Sequence, residues 1–132
     1  MLIKKETEYA TFGLIALAKH GDSFSDVRVI AKRDKIPAEH LSKIFQKLNR
    51  AKLIESRTGP SGGFRLKKDP RHINFLEIMQ AVQKKNVIRC YAGDSEYCKH
   101  PNCKFKKIVL GLEENIDKHL SKISLYDLIN KY

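Results

Sequence analysis

The sequence predicts a mainly α-helical chain that carries one small β-hairpin, and three observations lead there. Apolar residues recur at helical spacing in five separate stretches. One Gly/Pro-rich turn, "TGPSG", is flanked by two short segments of alternating character. No apolar run approaches the roughly 18 residues that a membrane-spanning helix needs.

The elements follow in order. Residues 6–20 carry Tyr9, Phe12, Leu14, Ile15 and Leu17 among helix-forming residues, and Gly21 ends the run. Asp26 then supplies an N-cap for "DVRVIAKRD", in which Val27, Ile30 and Ala31 lie at i, i+3, i+4 spacing. Lys35-Ile36 makes a tight turn, and Pro37 suits the first position of a third helix because its missing N–H would go unbonded there anyway. In that helix, "PAEHLSKIFQKLNRAKL", Leu41, Ile44, Phe45 and Leu48 share one face. The strand-like segments "LIESR" and "GFRLKK" enclose the Gly/Pro turn, and "DPRHINFLEIMQAVQ" returns to helix. From Phe105 to Ile123 one long helix is expected. Ile108, Leu112, Ile116, Leu120 and Ile123 form a narrow stripe along it, of the kind that pairs two helices.

Two short helices joined by a tight turn, with a basic hairpin after them, make a winged helix-turn-helix. The fold class is therefore mainly α with a small β-hairpin wing: a winged helix-turn-helix plus a long C-terminal dimerisation helix. Three parts are expected: the winged helix over 1–84, a cysteine-bearing loop over 85–104, and the dimerisation helix with its C-terminal segment over 105–132.

The charge distribution points to a partner. The net charge is +11 over 132 residues, and between Asp26 and His72 there are 13 Lys/Arg against 5 Asp/Glu. From Lys104 onward the ratio is only 6 to 4. A basic excess concentrated in the helix-turn-helix favours double-stranded DNA over a general solubility role. A membrane surface fits less well, because that stretch mixes in acidic residues and a loop. An α-helix fits the major groove and reads base edges with its outward side chains. The candidates on the third helix are Glu39, His40, Ser42, Lys43, Gln46 and Lys47; those in the wing are Arg57, Gly59, Ser61, Gly62 and Arg65.

Other classes are disfavoured. The Gly-rich loop lacks the Lys-Ser/Thr of a phosphate-binding loop and opens no helix. No nucleophile with a paired base and no paired carboxylates mark an enzyme site, and nothing indicates a small-molecule substrate. The first residues show no cleavable signal pattern, which reads as a cytoplasmic protein.

All three cysteines, Cys90, Cys98 and Cys103, fall in one polar stretch. An odd count in a reducing compartment does not make a disulfide framework. Thiolates are soft ligands that suit iron–sulfur clusters, zinc or copper(I). Zinc has Cys98, His100 and Cys103 on offer, and metal-free thiols that form a sensing disulfide are a further reading.

The run "PAEHLSKIFQKLNRAKLIESRTGPSGGFRLKKDP", followed by "INFLEIMQAV", resembles the winged-helix transcription regulators typified by IscR and NsrR. "EYA" near the start, the clustered cysteines and "ISLYDLI" near the end extend the resemblance over nearly the whole chain. It implies a homodimeric regulator, usually a repressor, on a near-palindromic operator. It also implies an iron–sulfur cluster, 2Fe–2S or 4Fe–4S, held by the three cysteines and sensitive to redox state or nitric oxide. For the remaining ligand, Lys106 stands where members resembling IscR carry histidine. Glu8 stands where members resembling NsrR offer an acidic side chain from the partner subunit, and His100 is the competing ligand within the loop.

Overall fold

The computed structural model describes residues 3–83 and 102–132. Its elements run α1 (Lys5–Lys19), α2 (Val27–Arg33), α3 (Ala38–Arg50), β1 (Ile54–Arg57), β2 (Gly63–Leu66), a 3-10 turn (Pro70–His72), α4 (Phe75–Gln83), α5 (Lys104–Ser121) and α6 (Leu125–Asn130). The winged helix-turn-helix order is therefore as expected.

Local chemistry sets the boundaries. The Asp26 carboxylate accepts from the backbone N–H of Arg28 at 2.8 Å and so caps α2. Bonding to the Arg28 side chain, and then to its backbone N–H, holds that carboxyl below its usual range. Lys35 takes a left-handed φ of 55° to turn the chain into α3. Pro37 sits one residue outside α3, as its N-cap, where its absent N–H is equally harmless. The long C-terminal helix stops at Ser121, so Ile123 lies beyond it rather than on its stripe.

The core forms where the apolar faces of α1, α2, α3 and α4 meet the hairpin. Leu14, Leu17, Ile30, Leu41, Phe45 and Ile78 are all within 1% of complete burial. The strands pair antiparallel with Glu55 opposite Arg65 and Arg57 opposite Gly63. The alternate residues send Phe64 inward, where its ring meets Phe45 edge-on at 5.2 Å. Ser25 adds one more rung, exchanging backbone hydrogen bonds of 2.8 and 2.9 Å with Phe64. The wing is thus anchored to the connection between α1 and α2. Gly63 is required at that rung, because a Cβ there would stand 2.2 Å from the Ser25 carbonyl oxygen.

α1 crosses α3 closely at Gly13, where an added Cβ would lie 2.5 Å from the Phe45 ring. A Gly13→Val chain is expected to lose about 2 kcal/mol, since overpacking a filled core costs on the order of 1–3 kcal/mol. A thermal melt should show a midpoint lowered by roughly 5–10 °C, and an unchanged midpoint would contradict the close crossing.

The C-terminal end folds back under the domain, which the helical periodicity did not foretell. Phe75 donates its backbone N–H to the Ile123 carbonyl at 2.8 Å, and Leu125 donates to Ile73 at 2.7 Å. Each side of this bridge opens a helix through a reciprocal cap. Glu77 N–H donates to Asn74 Oδ1 while Asn74 N–H donates to Glu77 Oε2, at 2.9 and 3.1 Å. Ser124 and Asp127 repeat the pattern at 3.0 and 3.1 Å. No helix among the described residues is long and apolar enough to cross a membrane.

Candidate nucleic-acid interface

The inward face of α3, made by Leu41, Ile44, Phe45 and Leu48, fixes what its other side presents. Glu39, Lys43, Gln46 and Arg50, spaced four, three and four residues apart, fall on one exposed line opposite the core. Arg50 is absent from the sequence-derived candidates. The same i, i+4, i+7, i+11 spacing, carried one turn further, would have found it. His40 is exposed on one flank, and Ser42 is half-buried on the other.

Lys47 departs from the expectation of an outward reader. Its ammonium donates to the Val82 carbonyl at 3.2 Å and pairs with Glu6 at 3.6 Å. It therefore ties α3 to the end of α4 and to the first turn of α1. Nearby, Thr7 Oγ1 and the backbone N–H of Lys4 both donate to Gln83 Oε1. The start of α1 is thus knotted to the end of α4.

α2 flanks α3 with further cations. Arg28 is bonded to Asp26, and Arg33 to Asp34 at 3.1 Å. Lys32 and Lys35 are exposed without an ion pair among the described residues.

In the wing, Gly59 and Ser61 lie at the exposed tip. Gly62 lies half-buried against its own hairpin, where a Cβ would meet the Arg57 carbonyl oxygen at 2.2 Å. That close approach gives Gly62 a folding role beside the expected contact role. Arg57 and Arg65 share a hairpin face and each lies 4.4 Å from the Phe24 ring centroid. Arg65 is also bonded to Glu55 at 2.6 Å and to the Asp22 carbonyl at 3.1 Å. Phe24 carried no sequence signal, because nothing local ties residue 24 to residues 57 and 65.

Of the cysteines, Cys103 is half-buried at the N-cap of α5. Cys90, Cys98 and His100 lie outside the described residues. Glu8 is exposed on the first turn of α1 and pairs with Lys5 at 3.2 Å. Among the described residues, no three His, Cys, Asp or Glu side chains gather into a metal-binding group. On α5 the apolar stripe divides. Phe105, Ile108 and Leu112 are 58%, 62% and 47% exposed, whereas Leu120 is buried within its own chain and Ile116 and Ile123 are half-buried.

The chain has known counterparts. The family model named Rrf2, described as an iron-dependent transcriptional regulator, matches residues 3–131. The transcriptional regulator named IscR from Cereibacter sphaeroides is 34% identical over 99 residues, covering 72% of this chain and 64% of that protein. The regulator named NsrR from Bacillus licheniformis is 28% identical over 134 aligned positions, covering 100% of this chain and 88% of that protein. In fold, the chain is similar to CymR, described as the global cysteine regulator of B. subtilis, with a TM-score of 0.79 at 21% identity over 100% of this chain and 98% of that one. It is similar also to IscR of T. potens, with a TM-score of 0.78 at 22% identity over 98% and 86%. The two sequence relatives are named as transcriptional regulators. The chain belongs to the Rrf2 family of transcriptional regulators and is a DNA-binding protein rather than an enzyme.

Proposed function

We propose that the chain acts as a homodimeric regulator, a repressor of transcription, that binds a near-palindromic operator and whose DNA affinity is set by an iron–sulfur cluster. The observation that carries the DNA-reading part is the exposed line Glu39, Lys43, Gln46, Arg50, set opposite the core and beside a basic wing. Its side chains match base-edge chemistry: Glu39 accepts from cytosine N4, Gln46 pairs with adenine, and Lys43 and Arg50 suit guanine or phosphate. His40 and Ser42 flank this line, while Arg57, Gly59 and Ser61 of the wing reach the adjacent backbone or minor groove. Lys47 takes no part in base reading here, because its ammonium is engaged with Glu6 and Val82. The dimer forms through Phe105, Ile108 and Leu112 of α5, and Leu120 is left to the packing of its own chain.

The donor chemistry fits a cluster. Three thiolates are soft ligands for iron, and Cys103 opens α5 with its side chain half-buried. Cys90, Cys98 and Cys103 would hold the cluster, and the exposed Glu8 of the second copy would complete the set. When bound, the cluster supplies iron that reacts with oxidants or nitric oxide. The chain's own residues convert a change at Glu8 into a change in α3. Glu8 rides on α1, whose Glu6 pairs with Lys47 and whose Gly13 lies against Phe45. A tilt of α1 therefore reaches the DNA-reading helix through one ion pair and one tight packing contact.

Anaerobic purification followed by iron and sulfide counts and a visible absorption spectrum tests the cofactor. The expected result is a coloured protein with matched iron and sulfide, both lost in Cys103→Ser. A colourless protein with stoichiometric zinc would assign the thiolates to zinc instead. A metal-free protein whose operator binding changes on thiol oxidation would make it a thiol-based regulator, and either result would overturn the cluster.

A further inference from the structure

Phe24 precedes Ser25 in the connection between α1 and α2 and is half-buried. The two backbone bonds from Ser25 to Phe64 hold this residue beside the wing. The strand register puts Glu55, Arg57 and Arg65 on one face of the hairpin. Both guanidinium carbons stand 4.4 Å from the Phe24 ring centroid, well inside the ~6 Å reach of a cation–π attraction.

The two arginines are not equivalent. Arg65 Nε donates to Glu55 Oε1 at 2.6 Å, and its Nη1 donates to the Asp22 carbonyl at 3.1 Å. Its charge is matched by a carboxylate, and two of its nitrogens are engaged within the chain. Arg57 is exposed and has no ion pair among the described residues, so its donors remain available to a phosphate or a base edge. An arginine side chain carries about 2 kcal/mol of rotamer entropy, most of which a DNA contact must remove. Stacking on a fixed ring removes part of that freedom before DNA arrives.

We propose that Phe24 is a positioning residue for the wing. Its ring, held by the Arg65–Glu55 pair, presents the Arg57 guanidinium to DNA, and Arg65 acts through this platform without touching DNA itself. This inference rests on the reading above in which the wing meets the operator.

The test is a double-mutant cycle on one operator duplex, read as equilibrium affinity over a salt series. Phe24→Leu is expected to weaken binding about three- to five-fold, the scale of an exposed cation–π contact. Phe24→Tyr, which keeps the ring, is expected to bind as the unaltered protein does. In an Arg57→Ala background the Phe24→Leu loss should vanish, whereas in a Lys43→Ala background it should persist in full. Arg65→Ala should likewise cost nothing further once Arg57 is gone. A Phe24→Leu loss of the same factor with and without Arg57 would overturn the proposal. An added Arg65→Ala loss in the Arg57→Ala background would make Arg65 a DNA contact and overturn it too. If Arg57→Ala alone changed neither affinity nor salt dependence while Lys43→Ala still weakened binding, the wing reading itself would fail, and this proposal with it. Thermal melts of every variant separate these losses from unfolding. Should Phe24→Leu fail to fold, the Arg65→Ala and Arg57→Ala pair decides alone.

Discussion

Replacing Lys43 and Arg50 together by alanine is expected to weaken operator binding by roughly 100-fold or more. Each base or phosphate contact contributes on the order of 1–3 kcal/mol, and about 1.4 kcal/mol is one decade of affinity. Both side chains stand on the exposed line of α3, away from Leu41, Ile44, Phe45 and Leu48, so the thermal midpoint should barely move. The slope of log affinity against log salt should shrink by about one for each lost phosphate contact. Fluorescence anisotropy with a labelled near-palindromic duplex reads both quantities. Lys47→Ala makes the internal comparison: it breaks the ties to Glu6 and Val82, so its first effect is on stability. Equal affinity for the double variant and the unaltered chain would remove α3 as the reading helix.

The second large effect concerns α5. Ile108→Glu with Leu112→Glu places two charges on the exposed half of the apolar stripe. In a helix pair those carboxylates would be desolvated without partners, a cost of several kcal/mol per ion. Sedimentation equilibrium should then report a monomer. Operator affinity should fall by roughly 100-fold or more, because two linked reading heads gain a factor of ~10²–10⁴ from effective concentration alone. The variant should remain folded, since Ile108 and Leu112 are already exposed in the single chain. A doubly substituted protein that stays dimeric would move the pairing surface elsewhere.

How far the sequence was legible depends on how local each feature is. Asp26, Pro37 and the Gly/Pro turn act on the backbone within a few residues, and the helix and strand boundaries they set fall within one to three residues of expectation. The apolar spacing of α3 likewise identified its buried face directly. The ties of Lys47 are not legible in the sequence, because its partners, Glu6 and the Val82 carbonyl, lie 41 and 35 residues away. No periodicity encodes such a meeting. Phe24 escaped for the same reason, as did the bridge that brings Ile123 and Leu125 to Phe75 and Ile73. Arg50 is a different case: its position on the stripe could be read locally, and the candidate set simply stopped a turn too early. On α5 the sequence stripe was uniform, while the fold spends Leu120 inside its own chain and leaves Ile108 and Leu112 outside.

The bridge between Asn74 and Ser124 has a consequence for how the chain can vary. It fastens both feet of the long excursion that contains every cysteine, by two backbone bonds of 2.7 and 2.8 Å and two reciprocal helix caps. The segment between the feet is therefore closed at both ends by contacts that use none of the cysteines. A substitution at a thiol leaves those fastenings, and with them the join between α4 and the C-terminal helix, in place.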